Sequence, residues 1–179
     1  MFTVGEDMKK GFTLVELLGV ISIMAVILLL SVPAVTNILK KATESEYYSF
    51  EENVFLATEA YLSSNKEKYP ELREVDKLTY VTIEQLLITN FLSSNMINPV
   101  TKKKMSEESD HVIIIYMNSK KLYIYELINT VTEQETTAIH AFENLTSDST
   151  ATEKEAVKTL VNALEDSLIK TALQNKLGE

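Results

Sequence analysis

Lys9-Lys10-Gly11-Phe12-Thr13-Leu14-Val15-Glu16-Leu17 opens a run that stays apolar to Val35. Two lysines precede a glycine and a phenylalanine, and beyond them nearly every residue is lipid-compatible. Glu16 is the one charge inside. A carboxylate at that depth costs roughly 2.5–3.5 kcal/mol on insertion scales, and anchoring alone gives no reason to accept it. Read as one helix at about 1.5 Å per residue, residues 12–35 reach roughly 36 Å. That crosses a hydrocarbon core of about 30 Å with some tilt. Lys9 and Lys10 hold the preceding residues in the cytoplasm by the positive-inside bias, so the rest of the chain is expected to face outward. An ordinary secretory signal has its small cleavage-site residue beyond the apolar core. Here the small residue, Gly11, comes before it, so the segment is not an ordinary secretory signal.

At these residues the chain resembles the type IV pilin and pseudopilin family. Lys-Lys-Gly-Phe-Thr-Leu-Val-Glu-Leu is similar to the family's leader-peptidase site. The resemblance implies cleavage after Gly11, N-methylation of the new amine on Phe12, and an assembly role for Glu16 as the family's acidic fifth residue. It also implies a prepilin peptidase/methylase, other pilin subunits and a membrane assembly platform as partners. Pro33 falls where the family carries its helix-kinking proline. A proline inside a helix removes one backbone bond and crowds the preceding turn, so a kink is expected near residues 29–31.

The chemistry of the site follows from charge pairing. Cleavage frees an α-amine at the end of an apolar helix. In a bundle of such helices the amine of one copy can sit beside the Glu16 carboxylate of a neighbour, each charge satisfying the other. A buried pair of this kind also fixes register. The bland alternative is a Glu16 that snorkels to the cytoplasmic interface.

The 179 residues leave room for one outward domain behind the apolar segment. The chain carries a net charge of -9 and no cysteine. An acidic balance disfavours nucleic acid as a partner, and no disulfide staples the head. Many pilins of the resembled family do close their C-terminal region with a disulfide.

Beyond Pro33 the pattern remains helical. Val35, Ile38, Leu39 and Ala42 share a face, as do Tyr47, Phe50, Val54, Ala57 and Tyr61, with a phase slip between Ala42 and Tyr47. One helix is expected from Phe12 to about Ser63. Residues 66–77 read as a surface loop. Thr82-Ile83-Glu84-Gln85 has the form of a capping box opening a short helix to about Leu92, which would bury Leu86, Leu87 and Phe91. Asn98-Pro99 marks a turn. Residues 111–117 and 121–127 read as a β-hairpin. Ile113, Ile115 and Met117 lie on one face and Val112, Ile114 and Tyr116 on the other. Both faces are apolar, so one is expected on the long helix and the other under the C-terminal segment. That segment reads as two helices, about 132–145 and 153–177, opened by boxes at Thr132–Glu135 and Thr152–Glu155. The second carries a stripe of Val157, Leu160, Val161, Leu164 and Leu168.

The expected fold class is α+β and pilin-like: a long N-terminal helix on a small antiparallel sheet, with a helical C-terminal region. The expected segments are a leader (1–11), a transmembrane and assembly helix (12–35), a head (36–129) and the C-terminal helices (130–179). The helical ending departs from the family's usual strands or loops.

No catalytic constellation can be assigned. His111 begins a strand and His140 sits in a helix, and the glycines form no phosphate loop. Lys102-Lys103-Lys104 reads as a solvated loop, and Glu107, Glu108 and Asp110 lack calcium-loop spacing. Neither a cofactor nor a metal is expected, and no enzyme activity. The leading function is a structural subunit of a pilus or pseudopilus. The other is a single-pass anchored protein that docks a partner through its C-terminal helices.

Overall fold

A computed structural model gives the fold; it describes residues 13–178 and, within them, every side chain except those of Leu30, Pro33 and Ala34. The element order is α1 (Leu14–Ser64), β1 (Leu78–Thr82), α2 (Ile83–Ile88), β2 (Val112–Met117), β3 (Tyr123–Ile128), α3 (Glu133–Glu143), α4 (Ala151–Asn162) and α5 (Leu168–Leu177). The chain divides into two units, Met1–Ser45 and Glu46–Glu179. The division falls within the phase slip between Ala42 and Tyr47. The class is α+β, as expected.

In the second unit, β1, β2 and β3 form an antiparallel sheet in that order, with Tyr80 opposite Ile114 and Ile114 opposite Glu126. Strand alternation sends successive residues of β2 to opposite faces. Ile113 and Ile115 join Phe50, Val54, Ala57 and Tyr61 of α1 in one buried cluster. Val112 and Ile114 join Tyr80 in a second cluster with Ile139, Val157, Val161, Ile169 and Leu173 from the three C-terminal helices. Both expected coverings of the sheet are present.

Four local expectations need correction. The sheet has three strands, not two. Leu78-Thr-Tyr-Val-Thr82 is β-branched and aromatic and pairs with β2 along its length, which the charged loop before it concealed. The α2 helix ends at Ile88, because Asn90 turns to positive φ (59°). Leu86 is buried, Leu87 is half-buried, and Phe91 stays at the surface, edge-on to Tyr61. The hairpin turn is longer than three residues. Asn118 Oδ1 accepts from Lys120 N and Leu122 N, so β3 starts at Tyr123 rather than Lys121. The last predicted helix is two. Ser167 caps α5 by accepting from Lys170 N, which breaks the stripe after Leu164. Its first part also starts earlier, on the Thr150–Glu153 box rather than Thr152–Glu155.

The α5 helix is anchored against β1. Asn175 Nδ2 donates to Leu78 O, which occupies part of that sheet edge. Lys176 reaches into an aromatic pocket, its Nζ 4.3 Å from the centre of the Tyr69 ring and 5.4 Å from that of Tyr80. Burial lowers the Lys176 pKa, and Glu71 and Glu143 oppose that shift. Gln85 joins the cap of α2 to α3, its Nε2 donating to Glu143 Oε1 at 2.8 Å.

Glu135 ties α3 to α5. Its Oε2 accepts from Thr132 N and Oγ1, and its Oε1 accepts from Ser167 Oγ at 2.7 Å. Burial pushes its carboxyl up, but the bonds from Thr132 and Ser167 outweigh this and leave the pKa below the ordinary carboxylate value. A depressed folded pKa gives stability that is present above the unfolded value of about 4.3 and is lost as pH falls through the folded one. Acidification from pH 6 to 3 is therefore expected to lower the melting temperature of the wild type more than that of Glu135→Gln. Equal slopes in a thermal melt series would show that the Glu135 charge contributes nothing.

Candidate processing and assembly site

The described part of the first unit is the start of α1, and its described apolar side chains face outward. Leu14, Leu17, Leu18, Ile21, Met24, Leu28 and Val32 are all exposed, as are Val15, Val20, Ile23, Ile27 and Val35. A helix apolar all round is one that other apolar groups must cover. Its hydroxyls are satisfied internally. Ser22 Oγ donates to Leu18 O at 2.8 Å, Ser31 Oγ to Ile27 O at 2.7 Å, and Thr36 Oγ1 to Val32 O at 3.1 Å. In a medium without water these groups carry no unmet donor. At Gly19 an added Cβ would meet nothing within 4 Å, so the glycine is not required by packing within the chain.

Glu16 lies in the first turn of this helix. Thr13 N and Thr13 Oγ1 both donate to Glu16 Oε2 at 2.9 Å, and Glu16 N donates back to Thr13 Oγ1 at 3.3 Å. Leu17 N closes the first backbone bond to Thr13 O. Thr13-Leu-Val-Glu16 is thus a capping box, which satisfies amide groups that a helix start leaves open. The sequence carries the signal, Thr-x-x-Glu directly before an apolar run. The box gives the acid a reason within its own chain, beside any partner in a neighbour. A carboxylate has about four lone-pair directions, and the box engages only Oε2 among the described residues. A second donor can still be accepted.

Lys9, Lys10, Gly11 and Phe12 lie outside the described residues. The α1 helix runs through Pro33 without a break in its assignment, while the proline ring lies outside the described side chains. Among the described residues no helix is long and apolar enough to cross a membrane. The expected span of 12–35 takes in Phe12 and the side chains of Leu30, Pro33 and Ala34, all beyond that description.

The residues considered for chemistry do not converge. His111 is buried beside Glu108, at 3.9 Å from its Oε2, whereas His140 is exposed on α3. Glu108 also accepts from Asn98 Nδ2 at 3.0 Å, which makes it a fastening of the loop before β2. Lys102, Lys103 and Lys104 are exposed.

The prokaryotic N-terminal methylation motif matches residues 7–32. That span takes in Lys9 to Glu16 and the apolar helix behind them. The chain therefore carries the type IV pilin and pseudopilin signal, and the motif marks a pilin-like precursor. It points to a structural subunit rather than an enzyme. No curated protein and no solved structure matches the chain.

Proposed function

We propose that this protein is a prepilin, cleaved after Gly11, methylated on Phe12 and assembled into a type IV pilus or pseudopilus. The observation that carries the reading is the methylation motif at residues 7–32, which takes in a helical stretch whose described apolar side chains are uncovered. Before assembly, lipid covers that surface in a single-pass orientation, with the leader in the cytoplasm and the head outside. After assembly, neighbouring helices cover it. Packing between apolar helices supplies the cohesion, and the pair between Glu16 and the neighbour's Phe12 amine sets the register. Pro33 allows the helices to bend around one another. A peptidase/methylase, other pilin subunits and a membrane platform are the partners this sequence of events requires.

The anchored-binder reading has a reduced surface. Val157, Val161 and Leu164 of the C-terminal stripe are buried over the sheet, while Leu160 and Leu168 remain exposed.

Because the chain has no cysteine, a single introduced thiol reports orientation. Ser147→Cys, in the exposed loop between α3 and α4, is expected to react with a membrane-impermeant maleimide on intact cells. Reaction only after lysis would place the head inside and contradict the proposal.

A further inference from the structure

The head carries two surface features of opposite character. The first is an open groove of about 230 Å³ between α1 and the outer strand β3. Its floor is Phe55 stacked on Tyr125, with ring centroids 5.7 Å apart, and its walls are Tyr48 and Leu56, the latter 56% exposed. Glu51, Glu52 and Glu59 border it. An aromatic floor with an acidic border suits a partner that is apolar at its tip and basic around it.

The second feature has that character. In the loop of residues 97–104, Ile97 and Val100 are 55% and 60% exposed, beside Lys102, Lys103 and Lys104. This is the only run of three basic residues in the chain. The loop is rigidly held from below. Asn98 is buried, its Oδ1 accepting from Val100 N at 2.9 Å and its Nδ2 donating to Glu108. Asn98 N donates to Lys103 O, and Lys102 N to Asn98 O, across a turn in which Lys102 takes φ 60°. Glu108 is buried beneath this bond, whereas the three lysines are exposed. A preorganised loop loses little freedom on docking.

We propose that the 97–104 loop of one copy seats in the Phe55–Tyr125 groove of the next, with Val100 on the aromatic floor and the lysines facing Glu51, Glu52 and Glu59. The inference rests on the assembly reading above and adds the contact between heads. Copies with a net charge of -9 repel one another in general, so contact is favoured where a local basic patch meets a local acidic one. Loop and groove are different surfaces, which makes the contact heterologous and propagating, as a filament requires.

The absence of native cysteine makes the test direct. Leu56→Cys and Val100→Cys are placed on separate full-length chains, coexpressed, and oxidised in sheared surface material, with the N-terminal mass read on the same sample. A disulfide forms only where Cα atoms approach to about 4.4–6.8 Å. A cross-linked dimer is expected only when both variants are present. Lys102→Glu with Lys103→Glu is expected to lower its yield about fivefold, and Glu52→Lys with Glu59→Lys on the partner to restore it. Material that starts at methylated Phe12 and gives no cross-link, or is indifferent to the charge reversals, overturns the loop-in-groove contact alone. Cross-linking of Leu56→Cys to a different protein overturns it as well. A chain retaining Met1 and missing from the sheared fraction overturns the assembly reading and the contact with it.

Discussion

Deleting residues 130–179 is expected to abolish cooperative unfolding of the head. Those residues form α3, α4 and α5, which cover one face of the sheet. Without them Tyr80, Val112 and Ile114, at most 2% exposed in the intact head, face water. Each buried side chain of this size contributes about 1.5–3 kcal/mol, so the three together represent roughly 5–9 kcal/mol. A domain of this size has only about 5–15 kcal/mol in total. The truncated chain should bind a hydrophobic dye and show no sharp melting transition in detergent, whereas Leu160→Ser, on the outer side of α4 at 42% exposure, should melt within a few degrees of wild type. A truncated chain that melts as the wild type does would mean the helices are appended to a head that stands without them.

Glu16→Gln is expected to reduce incorporation into filaments by roughly 100- to 4,000-fold. Glutamine keeps the capping box, since its side-chain oxygen still accepts from Thr13 and the box tolerates either residue. What it removes is the charge. If the neighbour's amine is paired with that carboxylate, breaking the pair leaves a buried cation, at about 3–5 kcal/mol, and each 1.4 kcal/mol is about a tenfold change. Thr13→Val does the reverse. It retains the carboxylate and deletes the hydroxyl, at about 0.5–2 kcal/mol to the helix start, so its effect on incorporation should be several times smaller. Quantifying both variants in sheared material separates the two roles. Normal assembly of Glu16→Gln beside failure of Thr13→Val would reduce Glu16 to a cap.

The sequence was most legible where one element dictates a periodicity. The long helix, its end near Ser64, the two apolar faces of β2 and their separate coverings all follow from spacings of two, three and four. Signals failed where two local rules competed. Thr150–Glu153 and Thr152–Glu155 both read as capping boxes, and the chain uses the first. Ser167 ends a stripe that periodicity alone would continue. Strand β1 is short and follows a charged stretch, so its pairing depends on β2, over thirty residues later in the chain. A contact of that kind has no local signature. At the start of α1 the Glu16 charge is plain in the sequence while the Thr13 box that holds it is hidden, because a charge in an apolar run invites a partner from elsewhere. The loop-in-groove pair is legible only after folding, which places Tyr125 of β3 under Phe55 of α1.

The central claim is that this chain is processed and assembled, and the N-terminal mass of the protein in sheared surface material tests it most directly. A chain beginning at methylated Phe12 is the expected result in that fraction. An intact Met1 start, in cells whose prepilin peptidase is active, would contradict it.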